Sequence, residues 1–260
     1  MAAVLVVMKK YLALCGVFFL AAAVQALPMA AGAAVIFSMD YEQPANAAHI
    51  MATMPTQPIA DALTVDCSVA RSGHCSVRAH IEAAASSISA GAYRAESDTM
   101  ALLPTCYSPG DTVRYRFSLR LPADWQLQPR SAIDLVWQFK RFDGPPDIFV
   151  AVKGNSLVLR AGAKAQVTLL EPVPLGQWMD VDMTVHWSAL PDGWVNGQVA
   201  VDNANAALPF DYAGPTTRND KPGAAYLKWG LYKPGKTDGS MQFSPRTVWH
   251  DDIQIEILPE

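Results

Sequence analysis

The chain is 260 residues long, 51% hydrophobic and 17% charged, with 20 Lys and Arg against 24 Asp and Glu for a formal net charge of -4. That balance leaves ample apolar chain for a globular core and excludes a disordered polypeptide. It also provides no overall basic field for nucleic acid or an anionic membrane. An anionic partner would have to be held by a local cluster of cations.

The first residues read as an export signal. Lys9 and Lys10 precede an apolar run over residues 11–24, and Val24-Gln25-Ala26 supplies small residues for cleavage. Residues 1–26 are therefore assigned to a signal peptide, with Met8 as an alternative start. The run is short for a membrane span, so the mature protein is expected to be secreted or periplasmic, without stable membrane insertion; a retained anchor is the competing reading. Removing the signal takes Cys15 and leaves Cys67, Cys75 and Cys106. In an oxidising compartment the segment CSVARSGHC can close a small loop, which predicts a Cys67–Cys75 disulfide. Cys106 is then the odd thiol, either buried or paired with one of the other two.

From Val35 onward, short alternating or apolar runs recur between Gly, Pro, Asn and Asp clusters, with no sustained helical period and no internal repeat. VRYRFSLRLP places Val113, Tyr115, Phe117, Leu119 and Leu121 on one face, with Arg114, Arg116, Ser118 and Arg120 on the other. IDLVWQFK predicts Ile133, Leu135, Trp137 and Phe139 inward, with Asp134, Val136, Gln138 and Lys140 opposite. DIFVAVKGNSLVLR reads as a hairpin turned at Gly154-Asn155 and covered on both faces. MDVDMTVHW alternates again, and GWVNGQVAVDN, YLKWGLYKPGK and TVWHDDIQIEIL complete the series. The pattern predicts an all-β protein, one domain over residues 35–260, in which two antiparallel sheets pack face to face as a jelly-roll sandwich. Arg114, Arg116, Arg120, Lys140 and Lys228 lie opposite the core residues, with Lys233 a further candidate. If their strands are neighbours they form an anion groove; otherwise they are scattered surface cations.

In YLKWGLYKPGK, residues 226–236, Leu227, Trp229 and Leu231 share one strand face, and Tyr226, Lys228, Gly230 and Tyr232 share the other. The order Tyr-x-Lys-x-Gly-x-Tyr resembles a motif of the jelly-roll polysaccharide lyases, the group that includes heparin lyase I, glucuronan lyases and many alginate lyases. Other segments resemble the same family in the same order. AYRAES, with Arg94 and Glu96, is similar to its arginine-bearing strand, VWQFKRFDGPPDIFVAV to its Gln-x-His strand and following turn, and RTVWHDDIQI to its closing strand. The resemblance covers roughly residues 37–257 and implies a two-sheet, concanavalin-like sandwich acting on an acidic polysaccharide or oligosaccharide.

Such enzymes cleave uronate polymers by β-elimination. The proton beside a uronate carboxylate is weakly acidic, so the carboxylate must be neutralised and the developing enolate-like charge stabilised while a base takes the proton and an acid protonates the leaving oxygen. The resemblance implies catalytic roles for Tyr232 and its neighbour Lys228, and substrate-binding roles for Arg94, Gln138, Tyr226 and, through the cationic groove, Arg116. One position departs from the family: Lys140 stands where the histidine of Gln-x-His would fall. Three outcomes are open. Tyr232 acts as both base and acid while Lys140 holds the carboxylate, or Lys140 itself becomes the base, or catalysis is lost and a non-catalytic carbohydrate-binding protein remains. His80 and His186 are the candidate replacement imidazoles.

A structural Ca²⁺ is a further expectation, held between the chain ends by Glu42 and Asp252 with Asp40 or Asp251 nearby, because hard oxygen donors suit that ion. Neither Gly-x-Ser-x-Gly nor His-Glu-x-x-His occurs, and the paired carboxylates of sandwich glucanases are absent as a motif.

Overall fold

The structure, a computed structural model, describes residues 32–43, 62–83, 88–89, 92–141, 144–162, 165–202, 204, 206–218, 225–235 and 241–259. The signal-peptide segment lies outside them. Fifteen strands account for most of the described chain: β1 (Ala34–Met39), β2 (Leu63–Asp66), β3 (Ser76–Ile81), β4 (Ile88–Ser89), β5 (Ala92–Asp98), β6 (Thr112–Arg120), β7 (Ile133–Arg141), β8 (Ile148–Lys153), β9 (Ser156–Ala161), β10 (Ala165–Leu170), β11 (Trp178–His186), β12 (Trp194–Val201), β13 (Leu208–Ala213), β14 (Ala225–Pro234) and β15 (Arg246–Ile257). A single 3-10 turn, Leu103–Thr105, is the one helical element among the described residues.

The strands form two antiparallel sheets, in the spatial orders β13-β12-β11-β6-β15-β3-β2, with β1 also on β15, and β10-β9-β8-β7-β14-β5-β4. We call these the first and second sheet. The protein is a β-sandwich of the jelly-roll type. Its core is drawn from the inward positions of both sheets and is rich in rings: Phe117 stacks on Trp137 with centroids 3.7 Å apart, and Tyr107 on Trp187 at 3.8 Å. Two of the buried indoles find acceptors, Trp229 donating to the Tyr41 hydroxyl at 2.7 Å and Trp187 to that of Tyr115 at 3.1 Å.

The expected alternation holds for β6, β11 and β14, whose apolar positions are all buried. In β7 it breaks. The register with β8 shifts between Leu135 and Trp137, so Val136 and Trp137 both join the core and the phase reverses before them. Leu135 and Ile133 therefore lie on the outer face, while Asp134 points inward, correcting the sequence reading. Asp134 is buried between two cations, Lys233 Nζ at 2.6 Å and Arg246 Nε at 3.2 Å. Lys233 is consequently an interior residue, 1% exposed, rather than one of the outward cations.

The Cys67–Cys75 disulfide is present, and Cys106, half-buried, lies outside any disulfide. The looped segment between the two cysteines rests on the start and end of the chain, which β1 and β15 bring together by pairing Met39 with Ile253. Glu42 Oε1 accepts the backbone N–H groups of His74 and Cys75 at 2.7 and 2.8 Å, and Asp252 Oδ1 accepts the Ser72 hydroxyl at 2.6 Å. Asp251 Oδ2 takes the Arg71 N–H at 2.8 Å. Thus the first and last strands do meet, but the Glu42, Asp251 and Asp252 carboxylates beside them are spent on the disulfide loop. Among the described residues no group of three or more His, Cys, Asp or Glu converges as a metal site, and Glu42 and Asp252 do not fit the calcium expectation.

Candidate active site

The outer face of the second sheet gathers the motif residues. On β14, Tyr226, Lys228, Gly230 and Tyr232 face away from the core because Leu227, Trp229 and Leu231 fill it. On one side β5 sets Asp98 opposite Lys228, Glu96 opposite Gly230 and Arg94 opposite Tyr232. On the other, β7 sets Lys140 opposite Tyr226 and Gln138 opposite Lys228. Three strands distant in sequence thus bring Arg94, Gln138, Lys140, Tyr226, Lys228 and Tyr232 onto one surface.

Gly230 has a physical reason to be glycine. Its φ is +122°, and a Cβ there would overlap the carbonyl oxygen of Ala95. The register between β14 and β7 shifts between Trp229 and Tyr232, a bulge that carries Tyr232 over Leu135. Tyr232 is half-buried against the outer apolar cluster of Leu135, Ala151 and Val158, and the Arg94 guanidinium lies over its ring, 4.9 Å from the centroid.

Behind this open pair is a buried polar network. Lys228 Nζ donates to Glu96 Oε2 at 2.7 Å, and Gln138 Nε2 donates to Glu96 Oε1. The side chains of Lys228 and Glu96 are only 6% and 3% exposed. The Glu96 carboxylate therefore neutralises the lysine and fixes the carboxamide. Asp98 is also buried, its Oδ1 accepting the Met100 N–H at 3.0 Å. Tyr226 is 8% exposed, and burial first, then the negative charges of Asp98 and Glu96, push its hydroxyl well above the usual tyrosine range, so it stays protonated.

Lys140, half-buried, turns its ammonium onto the carbonyls of Arg141 (2.8 Å) and Gly144. No histidine stands on this face among the described residues. His80 lies on β3 between Thr247 and Glu82, His186 on β11 stacked against Trp194, and His250 in the core. Neither proposed replacement imidazole is near Tyr232. Arg116 is also elsewhere: it is on β6, in the first sheet, paired with Glu256 at 2.7 Å. The cations predicted to share one groove divide between the two sheets, and the sequence reading of Arg116 as a ligand of the Tyr232 site is corrected.

Sequence reasoning named Glu96 only as a strand landmark and overlooked Asp98. Alternation from Arg94 puts both on its face, so the signal was present; the burial that makes Glu96 the centre of the network was not visible in the pattern.

The fold and this surface define a jelly-roll sandwich whose polar and aromatic side chains converge on one sheet. A polysaccharide lyase family profile matches residues 42–254, and the chain belongs to the polysaccharide lyase family. No curated protein matches it in sequence. Among solved structures, it is similar to the endo-β-1,4-glucuronan lyase of the fungus Trichoderma reesei, with TM-score 0.60 and 20% identity over 84% of this chain and 94% of that one. The PL-14 alginate lyase of Aplysia kurodai gives TM-score 0.56 and 11% identity over 87% and 100%. A GH131 β-glucanase catalytic domain from Podospora anserina gives 0.54 and 10% over 77% and 82%. At such identities the likeness is one of fold, and since a β-glucanase shares it, residues rather than architecture must carry the reaction.

Proposed function

We propose that this polysaccharide lyase is an exported enzyme that cleaves a uronate-containing polymer by β-elimination at the Tyr232 surface. The observation that carries the reading is the placement of Tyr232 beneath the Arg94 guanidinium and beside the Gln138–Glu96–Lys228 network. In this reading Arg94 and the Gln138 carboxamide bind the sugar carboxylate, drawing charge out of the adjacent C–H bond. Tyr232, as phenolate, takes that proton; the electron pair forms the new C=C bond and expels the glycosidic oxygen, which receives the proton back from the Tyr232 hydroxyl. Protons balance, and the product is an unsaturated uronate end. Lys228 acts through Glu96 as a positioning residue, and Lys140 supplies positive charge at the rim. The family motif and the disulfide, which suits an oxidising compartment, support the acidic substrate and the export.

The test is incubation of the mature protein with polyglucuronate, alginate and heparin-type polymers, following the ultraviolet absorbance of the unsaturated product. Absorbance that disappears in Tyr232→Phe supports the enzyme. A second reading, a binding module without catalysis, is favoured by one observation, the turning of Lys140 onto backbone carbonyls where the family has an imidazole. Tight binding with no product selects it, and no binding to any acidic glycan overturns both.

A further inference from the structure

We propose that Phe149 and Arg160 form a second sugar-acid subsite, remote from the cleavage point, that holds another uronate residue of the same polymer; the proposal rests on the uronate reading above. The register supplies the geometry. Lys228 faces Gln138, Gln138 faces Phe149, and Phe149 faces Arg160, so β14, β7, β8 and β9 contribute one straight row across the sheet. Adjacent strands are ~4.8 Å apart, which puts Arg160 roughly 10 Å from Gln138. A polymer lying across the strands would reach it with a sugar next to, rather than at, the reacting one.

The chemistry of the row is graded. Arg160 is half-buried, its guanidinium 5.9 Å from the centre of the Phe149 ring, and it has no acidic partner among the described residues, unlike Arg114 and Arg116 of the other sheet. Phe149 packs on the same apolar cluster of Leu135, Ala151 and Val158 that supports Tyr232. An unbroken apolar floor thus runs from the catalytic tyrosine to the unmatched cation, the combination that suits the C–H face and carboxylate of a sugar acid. At its opposite end the row finishes in Asp98, facing Lys228.

The experiment compares wild type, Arg160→Gln, Arg160→Lys and Phe149→Leu on oligouronates of graded length, recording kcat and KM separately, and measures the same oligomers with carboxyls reduced to alcohols, which cannot be cleaved, as competitive inhibitors. Arg160→Gln is expected to raise KM for the longer acidic oligomers about five- to tenfold with kcat nearly unchanged. It should have no effect on the shortest cleavable one, and Arg160→Lys should recover part of the loss. Phe149→Leu should weaken long acidic and long reduced oligomers alike. Equal KM for wild type and Arg160→Gln at every length, in an active enzyme, overturns the subsite and leaves the lyase reading intact. A wild type that neither binds nor cleaves any oligouronate overturns the lyase reading, and the subsite with it.

Discussion

The two sheets present outer faces of similar residue type and opposite organisation. Over the first sheet several arginines meet acids: Arg114 with Asp182 and Arg116 with Glu256 at 2.7 Å, and, from the disulfide loop, Arg71 with Asp180 at 2.7 Å. That face also holds a cleft of about 420 Å³ bordered by Asp40, Asp180, Asp182 and Asp252. On the second sheet the acids Glu96 and Asp98 are buried beneath the surface, while Arg94, Lys140 and Arg160 stand at the more accessible positions with Tyr232 and Phe149. That cleft is therefore on a face crossed by ion pairs, and the motif chemistry lies on the other sheet. What separates a structural charge lattice from a candidate site is where the neutralising carboxylates sit, above the sheet or under it.

The strongest challenge to this contrast is Tyr232→Phe, expected to lower product formation by about 10²–10⁴-fold, the usual worth of a positioned acid–base group, without a change in fold. If activity survives, the second-sheet face is not the reaction site. Next is Glu96→Ala, which leaves Lys228 buried without its counter-charge and Gln138 without its anchor. A stability loss of about 3–5 kcal/mol is expected by denaturant unfolding, with loss of activity; a near-neutral effect would show that the network is not what organises the face.

The third prediction concerns the layer between the faces. Burial in the core pushes the pKa of His250 down to about 3. The folded protein keeps this ring neutral while the unfolded chain protonates below about pH 6.5, so its contribution to stability is lost as pH falls from about 6.5 toward 3, by about 1.4 kcal/mol per unit. The neighbouring Asp251 works the other way. Burial raises it to about 6, so its contribution is present in acid and is lost as pH rises through about 6. Between pH 6 and 4 the two oppose. Going from pH 6.5 to 4.5, His250→Leu should gain relative to wild type by about 1.4 kcal/mol per unit, measured by unfolding at each pH; parallel pH profiles would refute the buried-histidine account. The smallest effect is expected from Arg116→Gln: less than about 1 kcal/mol in stability, as for an exposed ion pair, and activity within about twofold of wild type. A large loss of activity would erase the distinction between the faces.

Much of this was legible in the chain. Leu227, Trp229 and Leu231 had to share a side, so Tyr226, Lys228 and Tyr232 had to share the other, and burial follows that division. The Cys67–Cys75 bridge was legible from an eight-residue separation. The inward turn of Asp134 was not, because one extra residue at Val136 reverses the inward and outward positions before it, and such a bulge has no period to detect; Lys233 continues the face of Leu227, Trp229 and Leu231, and only its buried partner Asp134 was hidden. Arg116 was misplaced for a different reason: alternation assigns a side of a strand, never a sheet.

By itself, the sequence determined most of the long strands, the two faces of most of those, the disulfide and the family-like motif, because a strand's side chains must alternate and one face is apolar. Tertiary structure alone decided that β5 and β7 flank β14, that Glu96 sinks between Gln138 and Lys228, and that Arg160 joins the row of Tyr232's sheet while Arg116 does not. Those outcomes depend on hydrogen-bonded pairing between segments far apart in the chain, and local residue order carries no record of which partner a strand edge will find.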